Sequence, residues 1–362
     1  MATVKYAKIG GAWKLVVAEH AKVGGAWKLV TSNYVKIGEI WKTVPIGEKS
    51  IFVCEQFSDR LYAIDDQPAV ITGWPEYGSG IVDPRSVAYD GNNGYSYWAC
   101  ANKVYCMSDA GAIQWIYSGH ATTVTAICVD YNGMVYTGDL AGVTKKIVSF
   151  PGIGPGYSVA WSQTIGTNYA VYALAVDAST GMLYAGTGYA KDAVYGCTAN
   201  IGNWTIRYAS TKGDVTGIGI DEDIPSLYVG TGDGYLMKMG TNGYVYWGGS
   251  APIPSAQIYA VCIGHDGHGY CATGTRKSIK QFIIATGAGG WEATIGGTAD
   301  AVGCTVDEYG NVYGTFRKAG TSTDNVVRKV NSSGTEVWNW QPYVSAQFYG
   351  VAVSPGIKAA GF

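Results

Sequence analysis

Short apolar runs recur along this chain, each followed by a polar turn and a second run that reaches a tyrosine. The residue that closes each apolar run serves as an anchor, and the anchors are Asp90, Asp130, Asp177, Asp221, Gly264, Asp307 and Ser354. Successive anchors lie 40, 47, 44, 43, 43 and 47 residues apart. A period in the forties is typical of a four-stranded β-propeller blade. The pattern therefore predicts an all-β chain built of β-meander units.

The two ends of this series are incomplete in complementary ways. The last unit stops after one apolar strand, 348–353, and residues 51–53 resemble the second strand of a unit that lacks its first. If the C-terminal strand supplies the missing inner strand, six whole units and one shared unit close a ring. We therefore predict a seven-bladed propeller over residues 47–356, closed by its C-terminal strand and followed by a tail at 357–362.

One tryptophan falls at a similar place in each unit. These residues are Trp74, Trp115, Trp161, Trp204, Trp247, Trp291 and Trp338. A large ring repeated in one register is expected to pack between blades rather than to bind a ligand. The tryptophans resemble the blade-locking tryptophans of quinoprotein-type propellers, and turns such as VDEYGNVY are similar to those of NHL-type repeats. The resemblance covers residues 48–356 and implies architecture only.

Residues 1–46 follow a shorter period of 14 residues, set by Trp13, Trp27 and Trp41. Each unit reads as a strand, a two-residue turn that begins with glycine and a second strand, which predicts three β-hairpins. Straight alternation groups Ile9 with Trp13 on one face of the first hairpin and places the lysines on the other. Hairpins of this length are marginal alone. Other copies of the chain, a partner protein or the propeller must therefore cover the tryptophan face.

Tandem units of the form V/I-K-I/V-G-G-x-W-K resemble the short repeats found near the ends of bacteriophage tail, fibre and baseplate proteins. The resemblance covers residues 4–46. It implies a virion protein, in a tail or fibre and made in the host cytoplasm, that docks to other tail or baseplate proteins through residues 1–46. We also expect it to form a homo-oligomer.

Composition agrees with the all-β class, with 52 Gly, 28 Tyr, 12 Trp and only 14% charged residues. The net charge of -2 conceals a basic leader, since residues 1–49 hold eight Lys against three Glu. These lysines are spread at strand spacing, which favours a solvated face over a nucleic-acid patch. No secretory signal and no run of 18 apolar residues is visible, so we expect no membrane insertion.

Few motifs carry catalytic or metal chemistry. The eight cysteines are dilute and include no CxxC pair, so we predict buried thiols without zinc. His265-Asp266-Gly267-His268 places two potential metal ligands beside a carboxylate, but its place after an inner strand favours a polar turn. No phosphate loop, G-x-S-x-G elbow or HExxH occurs, and no two cysteines are adjacent as in quinoprotein enzymes. We therefore expect no cofactor, no metal and no enzymatic activity.

The face where inner strands begin is the expected binding surface of the propeller, because loops and inward side chains converge there. Counting seven residues back from each anchor gives Asp83, Thr123, Ala170, Asp214, Gln257, Asp300 and Gln347. Counting five back gives Arg85, Thr125, Tyr172, Thr216, Tyr259, Val302 and Tyr349. The candidate site residues are Asp83, Arg85, Tyr172, Asp214, Gln257, Tyr259, Asp300, Gln347 and Tyr349. They suit a sugar or a cation, and equally a hydrated channel mouth.

The combined hypothesis is a non-enzymatic phage tail or fibre component whose propeller binds a host-surface glycan. A glycan depolymerase on the same propeller and a purely structural decoration protein are the alternatives. Asp83, Asp214 and Asp300 belong to blades that are not neighbours. They should therefore lie apart, which disfavours the carboxylate pair of a glycosidase.

Overall fold

The structure, a computed structural model, describes the strands of the N-terminal repeats and most of the remaining chain. The described residues are 5–9, 12–16, 20–23, 26–29, 33–37, 40–44 and 49–354, except 72–73, 75–80, 131, 150–155, 178–179, 201–202, 211, 222–223, 250–256, 265–266, 275–276, 295–298, 319–321 and 344. They form 33 β-strands. This part of the chain contains no helix long and apolar enough to cross a membrane.

The N-terminal repeats form three separate two-stranded hairpins, as predicted. They pair β1 (Lys5–Ile9) with β2 (Ala12–Val16), β3 (His20–Val23) with β4 (Ala26–Leu29), and β5 (Asn33–Ile37) with β6 (Ile40–Val44). The register pairs Lys8 with Trp13, Lys22 with Trp27 and Lys36 with Trp41.

The predicted grouping of Ile9 with Trp13 is wrong. Cross-strand partners share a face of a hairpin, and the partner of Trp13 is Lys8, whereas Ile9 pairs with Ala12. A two-residue turn pairs odd positions with even ones. Alternation counted straight through the turn therefore assigns the second strand to the opposite face.

The rest of the described chain forms seven antiparallel sheets, six of them four-stranded meanders. Blade 1 contains β7 (Ile51–Glu55) and β8 (Arg60–Ile64), and blade 2 contains β9 (Pro84–Asp90), β10 (Tyr95–Cys100), β11 (Lys103–Ser108) and β12 (Ile113–Tyr117). Blade 3 contains β13 (Val124–Val129), β14 (Met134–Asp139), β15 (Val143–Ser149) and β16 (Tyr157–Thr164), and blade 4 contains β17 (Tyr169–Asp177), β18 (Met182–Tyr189), β19 (Ala193–Thr198) and β20 (Thr205–Ala209). Blade 5 contains β21 (Val215–Asp221), β22 (Ser226–Thr231), β23 (Leu236–Gly240) and β24 (Val245–Gly249), and blade 6 contains β25 (Ile258–Ile263), β26 (His268–Thr273), β27 (Ser278–Ile283) and β28 (Gly289–Thr294). Blade 7 contains β29 (Asp300–Val306), β30 (Val312–Arg317), β31 (Val327–Val330) and β32 (Glu336–Trp340), and β33 (Phe348–Val353) returns to blade 1.

The first strand of each unit is innermost, and the seven inner strands touch one another in a closed ring. The ring runs β9, β13, β17, β21, β25, β29, β33 and back to β9. Small residues sit where these strands approach most closely. A Cβ added to Gly217 would lie 2.9 Å from the backbone nitrogen of Val261, and one on Gly350 would lie 2.9 Å from the Cα of Ser86. This crowding explains why glycine and alanine recur in the inner strands.

The repeated tryptophans lock neighbouring blades together. In five blades the indole N–H donates to a carbonyl oxygen in the outer turn of the next blade. The bonds run from Trp74 to Asp109 (3.3 Å), Trp161 to Ala199 (3.0 Å), Trp247 to Ile284 (3.4 Å), Trp291 to Ser332 (2.9 Å) and Trp338 to Asp66 (3.1 Å). The predicted packing role is thereby confirmed for these five.

Trp204 departs from this pattern. Its indole donates to the Thr144 hydroxyl of the preceding blade at 2.8 Å. The outer turn of blade 5 instead meets Arg207, since a Cβ on Gly243 would lie 2.1 Å from the Arg207 carbonyl oxygen. A Cβ on Gly196 would lie 2.8 Å from Arg207 Nε and 3.2 Å from the Tyr184 ring, so the Arg207 side chain lies beside Tyr184, as Trp161 lies beside Tyr136 in blade 3.

The C-terminal strand closes the ring as predicted, because β33 pairs antiparallel with β7. Glu55, whose side chain is fully buried, fixes the start of this pairing. Its carboxylate accepts the backbone N–H groups of Phe57 (2.8 Å), Ser58 (3.1 Å) and Gln347 (3.0 Å), and also the Tyr343 hydroxyl. These donors satisfy the hydrogen-bonding capacity of the buried carboxylate.

The other end of the same seam is held by the residues that lead into β7. Ser50 and Ser354 exchange two hydrogen bonds, each 2.8 Å long. Lys49 is buried and reaches the Asp307 carboxylate of blade 7 at 2.5 Å. Burial alone would raise the pKa of Asp307, but hydrogen bonds from Lys49 and Asn311 hold it below its usual value.

We predict that Glu55→Ala lowers the free energy of unfolding by about 3 kcal/mol, because it leaves several buried donors without an acceptor. Urea denaturation measures this loss. Glu336→Ala is the matched control, since Glu336 forms a more exposed ion pair with Arg328 and should cost less than about 1 kcal/mol. Equal losses in the two variants would contradict the role given to Glu55.

We predict that Lys49→Met lowers the unfolding free energy by about 3 kcal/mol at pH 7, because it leaves Asp307 buried without its cation. A lowered folded-state pKa contributes stability above the unfolded-state pKa of about 4, and this is lost as the pH falls through the folded value. The difference from wild type should therefore shrink below about pH 4. Urea denaturation at pH 7 and below pH 4 checks this prediction. Lys318→Met is the control, because Lys318 is exposed. A pH-independent difference would contradict it.

Candidate functional site

Every inner strand carries a β-bulge at the same place. The register with the second strand skips the residue five before the anchor in six blades, and skips Tyr349 and Gly350 in β33. A bulge leaves the extra residue unpaired and redirects its side chain. The seven bulged residues that line the central cavity are Arg85, Thr125, Tyr172, Thr216, Tyr259, Val302 and Tyr349.

The cavity has a volume of about 350 Å³, at the lower end of the range for small-molecule sites. Beneath the bulged ring lies a layer of small residues, and beneath that an apolar layer. The apolar layer comprises Val87, Ile127, Leu174, Ile218, Val261, Cys304 and Val351. The cavity therefore combines a mixed polar and aromatic mouth with an apolar floor.

The residues seven before each anchor form the rim of this mouth. In five blades the backbone carbonyl oxygen at this position accepts an N–H from the turn after the second strand. These bonds join Asp83 to Ala101 (3.1 Å), Thr123 to Leu140 (3.1 Å), Asp214 to Gly232 (2.8 Å), Gln257 to Gly274 (2.9 Å) and Gln347 to Gln56 (2.9 Å). The candidate residues Asp83, Asp214, Gln257 and Gln347 are thus anchored through their backbones, and Asp300 is the first residue of β29.

The two threonines of the bulged ring are engaged between blades. Thr125 donates to the Val171 carbonyl oxygen and Thr216 to the Ile258 carbonyl oxygen, each in the next inner strand. The longer polar side chains of the ring are therefore Arg85, Tyr172, Tyr259 and Tyr349, four of the nine candidate site residues.

One side of the mouth gathers arginines and tyrosines. Arg85 donates through Nε to the Asp83 carboxylate at 2.8 Å, and Gln56 donates to the same carboxylate. Arg317 donates to the Tyr349 hydroxyl. Arg317 was not selected by counting from the anchors, because it ends the second strand of its blade. Its register opposite Asp300 is the signal that could have identified it.

Tyr259 lies on the same side and donates to the Gln257 side chain at 2.6 Å. Burial, reinforced by Asp300 and opposed by Arg317, raises the pKa of Tyr259 above its usual value. The phenol therefore stays neutral near pH 7 and remains a hydrogen-bond donor.

The side of the mouth formed by blades 4 and 5 gathers carboxylates. Asp192, in the turn between β18 and β19, hydrogen-bonds to Asp214, which also accepts the Tyr189 N–H at 2.9 Å. Burial and the bond to Asp214, with Asp233 nearby, raise the pKa of Asp192. The spacing of the anchors does not identify Asp192, because its position depends on the length and path of that turn.

A third polar cluster has the geometry of a catalytic triad but no access for a substrate. His120 Nδ1 lies 2.9 Å from Asp139 and its Nε2 lies 2.8 Å from the Thr137 hydroxyl. All three residues are buried. A nucleophile must be reachable, so these bonds fix the loop before β13 to blade 3 and serve its structure.

The other candidate ligands form no metal centre in the described residues. No group of three or more His, Cys, Asp or Glu in that part of the chain is arranged to hold a metal ion. His265 and Asp266 of the HDGH turn lie outside the described residues. All eight cysteines are free thiols, and burial raises the pKa of Cys54 and Cys271 and so keeps them uncharged.

Comparison with known proteins adds no family to this description. No protein-family model matches the chain. No curated protein is similar to it. The opposed arginine and carboxylate sides of the mouth suit a polar ligand with a charged end.

We predict that Asp192→Asn raises the unfolding temperature at pH 7 but leaves it nearly unchanged at pH 3. A raised folded-state pKa means that folding favours the protonated acid, so ionisation above about pH 4 weakens the fold. The gain should be under about 1 kcal/mol, because the group is partly solvated. Thermal unfolding at both pH values measures it, and an equal change at pH 3 would contradict the carboxyl pair.

Proposed function

We propose that the protein is a non-enzymatic component of a bacteriophage tail or fibre. Residues 1–46 anchor it to the virion, and the propeller is displayed to bind a glycan on the host surface. The observation that carries this proposal is the position of the chain entry relative to the cavity mouth.

The chain enters the propeller on the face opposite the mouth. Lys49 and Ser50 lie beside Asp307 and Ser354, which directly follow inner strands. The mouth lies where these strands begin. Six strand residues span about 20 Å, so the segment carrying the repeats joins a remote face and attachment through it leaves the mouth exposed.

The hairpins suit a docking role because each has only two strands. A two-stranded hairpin is marginal by itself in water, so three in tandem imply contact with another surface. In this proposal the contacts are other tail or baseplate proteins and further copies of this chain. Trp13, Trp27 and Trp41 remain the predicted docking residues, and their side chains lie outside the described part.

The mouth suits a sugar for two reasons. Tyr172, Tyr259 and Tyr349 supply aromatic faces and hydroxyl groups around one cavity, and pyranose rings offer both apolar C–H faces and hydroxyls to such groups. Rim carboxylates and amides add acceptors for sugar hydroxyls. This combination of groups favours a glycan over a wholly apolar ligand.

The close carboxyl pair does not favour the depolymerase alternative. Asp192 and Asp214 are in direct hydrogen-bond contact. Glycosidase carboxyl pairs are about 5 to 9.5 Å apart, to leave room for the sugar or for a water molecule. We therefore propose binding without hydrolysis.

The test compares the purified full-length protein with a variant that lacks residues 1–46. We expect both to bind the same members of a glycan array with equal affinity per propeller. We expect the full-length protein alone to form the oligomer, measured by light scattering after size-exclusion chromatography.

Each part of the proposal can fail separately. Absence of glycan binding by both proteins would overturn the displayed binding head and favour a decoration protein. Loss of binding on truncation would place the binding surface in the repeats. Release of oligosaccharides would favour the depolymerase.

A further inference from the structure

Two arginines from different blades converge on one tyrosine at the cavity mouth. The guanidinium carbon of Arg317 lies 4.2 Å from the centre of the Tyr349 ring, and that of Arg85 lies 5.9 Å from it. Tyr349 comes from β33, the strand that closes the ring, so it stands between blades 7 and 2. Arg85 and Tyr349 line the cavity, and Arg317 lies against Tyr349 at the rim, so the three residues form a cationic wall at the mouth.

The two arginines differ in their partners. Arg85 is paired with Asp83 through Nε, which orients the guanidinium and offsets part of its charge. Among the described residues no carboxylate lies within 4.0 Å of the Arg317 guanidinium, which donates a hydrogen bond to the Tyr349 hydroxyl. Asp300 acts on it only at longer range. Arg317 is therefore a half-buried cation whose charge is not matched by a contacting anion.

Burial disfavours the charged form of this guanidinium. Desolvation lowers the pKa of Arg317, opposed by Tyr259 and Asp300 and reinforced by Arg85. Guanidinium groups nevertheless stay protonated at neutral pH. A partly desolvated cation beside a second arginine is stabilised by an anion that bridges the two, most strongly by a planar one.

The other sides of the cavity indicate the size of the ligand and where its polar groups would lie. Tyr259 and Tyr349 line the same cavity of about 350 Å³, which has room for one sugar ring. The opposite side of the mouth carries Asp192 and Asp214 and repels a negative group. An anionic sugar would thus bind with its charge toward Arg317 and its hydroxyls toward the carboxylates.

We propose that the cavity binds a carboxylated sugar, with the carboxylate on Arg317 and Arg85 and the ring against Tyr259 and Tyr349. The inference rests on the proposed function and names its glycan class as acidic. It also gives Arg317, which lies outside the ring of bulged residues, the main part in specificity.

Isothermal titration of the full-length protein with sugars tests this proposal. The probes are glucuronate and N-acetylneuraminate, with glucose as the neutral match of glucuronate and inorganic sulfate as a bare anion. We expect at least one acidic sugar to bind about tenfold or more tightly than glucose and sulfate. Arg317→Gln should weaken that binding by about tenfold or more, and Arg317→Lys by less.

Arg328→Gln is the matched control. It removes the same charge from the same blade, at an ion pair with Glu336 on the outer strands, and should leave sugar binding unchanged. Thermal unfolding of each variant shows that it is folded.

Equal affinity for glucose and glucuronate, or binding insensitive to Arg317→Gln, would overturn the acidic-sugar assignment while leaving glycan binding intact. Sulfate binding as tight as the sugars would reduce the site to a general anion site and would also overturn it. Failure of every sugar here and on the glycan array would overturn both proposals.

Discussion

The pairing of β33 with β7 is the constraint on which the rest of the structure depends. Each blade contacts only its two neighbours, so the ring has one seam, and the first and last strands of the propeller form it. Glu55 satisfies the backbone at one end of this seam, and the Ser50–Ser354 and Lys49–Asp307 contacts satisfy the other. The seam also builds the cavity, because Tyr349 enters it from the closing strand. The cationic wall thus exists only in the closed ring.

The features that all blades share and the side chains that differ between blades have separate roles. The repeated features, the inner β-bulge and the outer tryptophan, give every blade the same path and bring one side chain per blade to the same depth. Function requires that these side chains differ. Threonines at two bulges bind the neighbouring backbone, whereas tyrosines and Arg85 remain at the cavity surface. The mouth therefore acquires an arginine side and a carboxylate side on a nearly symmetric scaffold.

Sequence predicted those features that depend on regular spacing. The anchor period, the seven blades, the shared blade and the ring of bulged residues all follow from counting, because each inner strand bulges at the same position. Features that depend on pairing across strands or on a turn's path were missed. Arg317 reaches the mouth because it pairs with Asp300 across neighbouring strands. Asp192 reaches it because it lies in the turn between β18 and β19. The contact of Arg207 in place of Trp204, and the hairpin face to which Trp13 belongs, both depend on strand register. Simple alternation of apolar and polar residues does not determine that register.

The two faces of the propeller respond to acid in opposite senses. At the entry face Asp307 is stabilised as an anion by Lys49, so protonation weakens the seam. At the mouth burial and the neighbouring Asp214 destabilise Asp192 as an anion, so protonation is favourable there. The seam weakens as the pH falls below about 4, where an acidic sugar also loses its charge. At neutral pH the seam is therefore strongest, and an acidic sugar carries its charge. The closing seam is thus most stable under the same conditions in which the arginine wall can best distinguish an acidic ligand from a neutral one.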